Sequence, residues 1–163
     1  MASHEIEIRG YLPADRDALL ALAPRLVAGM APWRDRAAWL RAVAGWVRSA
    51  ADTAADGDHA VYVAVDGGTV VGFVEVARRT HFTGQVDAYV GELVTAAGHE
   101  RRGIGRALML AAEDWAVAQG LELLTLETGA ANREARAFYA AIGYQDEDVR
   151  LTKELRKRTG TSS

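Results

Sequence analysis

Apolar and polar positions alternate over Glu5–Arg9 (EIEIR), the period of a strand with one buried face. Pro13 and Asp15 then give helix-start signals. Leu19, Leu20, Leu22, Leu26 and Val27 recur at helical spacing until Met30-Ala31-Pro32 breaks the pattern. A second helix is expected from Asp35 to Ala54, with Trp39, Leu40, Val43, Trp46 and Val47 on one face. By spacing, Trp39 and Trp46 belong to the core.

Strand patterns follow at His59–Val65 (HAVYVAV) and Thr69–Arg79, joined by the hairpin signal Asp66-Gly67-Gly68. A third strand covers Asp87–Thr95, with Gly91 inside it, where a glycine marks a bulge or a close backbone approach. Ile104–Gln119 reads as a helix carrying Leu108, Leu110, Ala111, Trp115 and Val117, stopped at Gly120. Leu121–Glu127 reads as a strand and Asn132–Ile142 as a short helix. Tyr144–Gln145 and Val149–Leu155 read as two last strands. The order βαα-βββ-α-β-α-ββ predicts an α/β domain over residues 1–155, its mixed, mostly antiparallel sheet covered by helices on both faces. Residues 156–163 are expected to form a disordered tail.

Composition narrows the classes. A chain of 163 residues can bury roughly 70% of its unfolded surface without staples. Its net charge of -3 argues against a dedicated nucleic-acid binder. With no cysteine there is neither disulfide framework nor thiol nucleophile. No apolar run approaches the ~18 residues of a spanning helix, and the opening MASHEIEIRGY lacks a signal-peptide pattern. A cytoplasmic protein without membrane or nucleic-acid partners is expected. His4, His59, His81 and His99 show no ligand spacing, so no metal is expected.

The chemistry begins at HERRGIGRALML, His99–Leu110. A nucleotide P-loop requires Lys and Ser or Thr after its last glycine, and here Arg106 and Ala107 follow. A dinucleotide fingerprint requires a third glycine where Leu108 stands. What remains is a helix N-terminus with free N–H groups, glycines that admit a ligand, and flanking arginines. On that pattern alone, a phosphate site and a plain loop before a helix stand level.

The flanking sequence separates them. AYVGELVTAAGHERRGIGRALMLAAEDWA, followed by ETGAANREARAFYAAIGY, resembles the GNAT superfamily of acyl-CoA-dependent N-acyltransferases. The first stretch is similar to the family's R/Q-x-x-G-x-G/A loop. The second matches N-x-x-A-x-x-F-Y-x-x-x-G-F/Y through Asn132, Ala135, Phe138, Tyr139, Gly143 and Tyr144. The likeness runs from about Ile6 to Leu155. One position departs: Glu100 occupies the first place of the loop motif. A carboxylate is a poor ligand for pyrophosphate, so the backbone and Arg101 or Arg102 would carry that work.

The resemblance implies acetyl transfer from acetyl-CoA to an amine, and it distributes roles. The amides of Arg101, Arg102, Gly103, Ile104, Gly105 and Arg106 would cradle pyrophosphate. A backbone N–H near Leu93 or Val94 would polarise the thioester carbonyl, a donor worth about 10²–10³ in rate. Tyr139 would protonate the departing thiolate; its other reading is a core aromatic. Asn132 would bond the pantetheine arm, cap a helix, or do both. Glu92 is the first choice for the base, with Glu75 and Glu127 as neighbours; each taken alone reads first as a solvated or salt-bridged carboxylate. His59 and His81 are weaker choices.

The acceptor pocket is expected from Trp33, Glu75, Asp87 and Glu127. A looser likeness to aminoglycoside 6'-N-acetyltransferases over GFVEVARRTHFTGQVDAYVGELVTAAGHERRG brings a polycationic amine into view. Two other readings stand beside the small-amine enzyme: a non-catalytic acyl-CoA or drug-binding sensor, and a peptide or protein N-acetyltransferase. A homodimer paired through the last strand or the sheet edge is the expected assembly.

Overall fold

The computed structural model describes residues 5–155. The tail expected over 156–163 and His4 lie outside the described residues. Among the described residues five strands form one sheet in chain order: β1 (Glu7–Gly10), β2 (His59–Asp66), β3 (Thr69–Thr80), β4 (Val86–Thr95) and β5 (Leu124–Leu126). Neighbours are antiparallel except β4 and β5, which run parallel. That parallel pair is joined by α3 (Ile104–Ala118), as a crossover requires. The other helices are α1 (Arg16–Leu22), α2 (Arg36–Thr53) and α4 (Arg133–Ala141). The β2–β3 hairpin turns through Gly67 and Gly68, both at positive φ, the backbone a tight two-residue turn demands.

The sheet buries both faces. Against α3, Val71, Val74, Val76, Ala88 and Val90 pack on Ile104, Leu108, Met109, Ala112 and Ala116. Against α1 and α2, Val61, Val63, Val65, Phe73 and Val94 pack on Leu19, Leu22, Val47 and Ala50. Asp35 starts α2 by accepting the Ala38 N–H at 2.6 Å.

Four sequence expectations change. The first helix is regular only to Leu22, because Pro24 cannot continue it, and Ala23–Val27 tightens into a 3-10 turn. In α3, Leu110 and Val117 are exposed, and the buried stripe runs through Ile104, Leu108, Met109, Ala112 and Ala116. Trp46 is 49% exposed rather than core. Tyr144–Gln145 and Val149–Leu155 form no strand. Alternation marks a strand only where a neighbour supplies hydrogen bonds, and the adjacent β5 offers three residues. Val149, Leu151 and Leu155 are left exposed.

Candidate active site

A single extra residue builds the site. Glu75 of β3 pairs with Glu92 of β4, but Val76 pairs with Val90, so Gly91 has no opposite number. Val90 faces α3, and strict alternation would send Glu92 to that side as well. The bulge at Gly91 resets the count: Val94, two residues beyond Glu92, packs on the α1 and α2 side. Glu92 therefore shares a face with Glu75. Gly91 is also glycine for a steric reason, since a β-carbon there would collide with the Glu75 carboxylate.

Glu92 is buried, at 9% exposure. Burial first, and the charge of Glu75 second, push its carboxyl up to about 8. Burial also raises Glu75, against the opposing pull of His59 and of the Gly91 N–H. Around them, Arg79 lies over the Tyr89 ring at 4.2 Å and approaches Glu127 at 3.9 Å. Trp39 Nε1, His59 Nδ1 and Asp87 Oδ1 are buried without a hydrogen-bond partner among the described residues. Native interiors rarely leave such groups unpaired.

Beside Glu92 the sheet opens. Strand β5 pairs with β4 only from Ala88 to Val90, so β4 runs on through Leu93 and Val94 without it. A cavity of about 190 Å3 lies there, lined among others by Trp39, Trp46, Glu92, Leu93, Asn132 and Tyr139. Tyr139 comes from α4, with the rings of Phe138 and Tyr144 at 5.1 and 5.8 Å. Burial drives its hydroxyl up to about 12, so it keeps its proton at any working pH. Asn132 caps α4 by accepting the Ala135 N–H at 3.1 Å, and its amide donates to Ala28 O at 3.3 Å.

The glycine-rich loop leads into α3. Arg101 and Gly103 both take left-handed backbone, with φ of 60° and 77°. Gly103 caps α3, whose first-turn amides lack partners within the helix. Gly105 faces the Phe138 ring, which a β-carbon would meet at 3.3 Å, so the two sequence motifs pack on each other. Glu100 turns away from the helix start: it accepts from Arg25 at 2.6 Å and from the Gly98 N–H at 2.8 Å. Arg25 also donates to Thr95 O at 2.6 Å. Arg102 pairs with Asp66 at 2.9 Å. Arg101 and Arg106 are exposed and have no ion pair among the described residues.

The fold thus brings Glu92, Leu93, Asn132, Tyr139 and Glu127 to one cavity, with Glu75 opposite Glu92. It does not bring Trp33, which is 49% exposed and outside the cavity lining; Trp39 and Trp46 line the cavity. Asp87 is buried on β4 and also lies outside that lining. Arg25, Gly29 and Gly129 line the cavity too, and only the tertiary contacts show it.

Residues 22–144 match the family model of the acetyltransferase (GNAT) family. An uncharacterized N-acetyltransferase, YhfO, of Bacillus subtilis is 29% identical over 91 residues, 55% of this chain. The chain covers 61% of that relative's length. A PaiA N-acetyltransferase of Thermoplasma acidophilum, solved with coenzyme A, superposes with a TM-score of 0.75 at 21% identity, covering 90% of this chain and 93% of that one. Aminoglycoside N-acetyltransferase AAC(6')-Iy in complex with CoA superposes at 0.67 with 17% identity, covering 96% and 97%. Two motifs packed on each other around a parted parallel pair, and a model match over most of the chain, agree: this protein belongs to the GNAT acetyltransferase family.

Proposed function

We propose that the protein moves an acetyl group from acetyl-CoA to the primary amine of a small molecule in the cytoplasm, with polycationic, aminoglycoside-like amines as the leading class. The observation that carries this reading is that Glu92 and Tyr139, from opposite ends of the motif region, line one cavity where β4 leaves β5.

The residues fit the cofactor. The amides of Arg101–Arg106 at a glycine-bounded helix start suit pyrophosphate, Arg101 and Arg106 add charge, and Glu100 is held aside by Arg25. Asn132 and Leu93 line the same cavity as Glu92. The cavity is smaller than the roughly 300–1,000 Å3 of pockets enclosing a drug-sized ligand. That suits the meeting of two reacting ends rather than the body of either substrate.

Bound acetyl-CoA would supply the activated thioester; the chain supplies the rest. Glu92 takes the proton of the incoming ammonium, freeing the nitrogen lone pair. A base near 8 lies about two pH units below an alkylammonium of pKa ~10, where an ordinary carboxylate lies about six below. The N–H of Leu93 or Val94 stabilises negative charge growing on the carbonyl oxygen. Tyr139 donates to the sulfur as the C–S bond breaks. Glu127 gives the cavity negative charge, and Trp39 and Trp46 give it aromatic faces, both suited to a cationic acceptor.

The test is thiol release from acetyl-CoA over a panel of aminoglycosides, polyamines, amino acids and short peptides. Release should depend on acceptor, and Glu92→Gln should cut it by about 10²–10⁴-fold. Tyr139→Phe should lower kcat with little change in acetyl-CoA affinity. Tight acetyl-CoA binding with no release for any amine would turn the reading toward a sensor.

A further inference from the structure

We propose that Glu75 is a positioning residue that adds to the basicity of Glu92: the two carboxyls, opposed across the β3–β4 bulge, hold one negative charge between them, and that charge resides on Glu75. The inference rests on the reading of Glu92 as the base.

Geometry carries it. Directly opposed residues on antiparallel strands place their β-carbons about 4.5–5.5 Å apart. The bulge at Gly91 turns both side chains to the same face, and the missing side chain at Gly91 leaves room for the Glu75 carboxylate to lie over it. Two carboxylates this close in a half-buried site do not both ionise readily.

The surroundings decide which keeps the charge. His59 on β2 and the Gly91 N–H favour the anion of Glu75. The other cations are committed: Arg79 to Tyr89 and Glu127, Arg25 to Thr95 O and Glu100. Asp87 and Tyr89 on β4, Glu127 after β5 and Tyr139 on α4 bring no positive charge. Trp39 and Trp46 on α2 bring none either. Neither Glu75 nor Glu92 has an ion pair among the described residues. Glu92 therefore holds the proton at neutral pH and becomes a base only as that proton leaves, far above the ordinary carboxylate range. In turnover one ammonium proton passes to the Glu92 carboxylate, the N–C bond forms as C–S breaks, the sulfur leaves with the electron pair and takes the Tyr139 proton, and the second nitrogen proton, lost as the neutral amide forms, restores Tyr139.

The experiment titrates carboxyl-labelled glutamate by carbon-13 NMR in the full chain saturated with coenzyme A. It is paired with pH profiles of kcat/KM for an amine that turns over. Glu92→Gln assigns the Glu92 resonance and removes the acid limb. Glu75→Gln should move the Glu92 midpoint, and the limb with it, down by about one pH unit or more. Glu75→Asp, which keeps the charge, should leave both near their original place; it also controls for lost packing. If Glu92→Gln erases the limb while Glu75→Gln leaves the Glu92 midpoint where it was, this inference is wrong and the base assignment stands. If Glu92→Gln leaves rate and limb intact, the base assignment falls and takes the inference with it.

Discussion

The two faces of the sheet are made of the same strands and do different work. Toward α3 the contact is apolar along its length: valines of β3 and β4 against Ile104, Leu108, Met109 and Ala112. Toward α2 it begins the same way, with Val61, Val63 and Phe73, and then gives way to His59, Glu75 and Glu92 near the bulge. The first face is optimised for dry packing. The second gives up packing where it needs polar groups held out of water. One inserted residue, Gly91, marks the change, because it moves Glu92 from the dry side to the working side.

If the division is real, damage to each face should read out differently. The largest loss of stability belongs to the α3 face. Leu108→Ala, in a fully buried position, should cost about 2–5 kcal/mol in denaturant unfolding, with kcat preserved in the molecules that stay folded. A fall in kcat at unchanged stability would erase the distinction.

A smaller and opposite effect belongs to Glu92. Its folded pKa of about 8 lies above the ordinary 4.5, so the native state keeps a proton that the unfolded chain has released. The stability from this group is full below about pH 4.5 and is lost as pH rises through about 8. Thermal midpoints of the wild type should therefore drop relative to Glu92→Gln as buffers go from pH 5 to pH 8. Parallel curves would show that the carboxyl is not perturbed by the fold.

The smallest effect is expected at Glu100. Its carboxylate is exposed and engaged with Arg25, so Glu100→Gln should leave the thermal midpoint in place and change coenzyme A affinity less than Arg106→Ala does. A large gain in affinity for Glu100→Gln would place that carboxylate at the phosphates after all.

The sequence made the element order and both motifs readable because hydrophobic period and glycine placement are local properties. The βββ run, the crossover helix and the Asn132 cap all follow from them. It placed Gly91 as a bulge or close approach, and Glu92 beside it. It could not place Trp39 and Trp46, whose seven-residue spacing puts them on one helix face without saying what that face meets. Nor could it show that Glu100 is neutralised by Arg25, a residue 75 positions away. The last strands failed for a related reason: VRLTKEL alternates correctly, but alternation carries no information about a partner.

Residues 25–30 are fastened at both ends to the half of the molecule that carries the glycine loop. Arg25 grips Thr95 and Glu100, and Ala28 accepts from Asn132. At the second tie the chains touch so closely that side chains at Gly29 and Gly129 would not fit. This segment is therefore not an independent cassette. A chimera that grafts residues 16–35 from a relative must carry residues 100, 129 and 132 with it. Lineages that change acceptor should change these distant positions together.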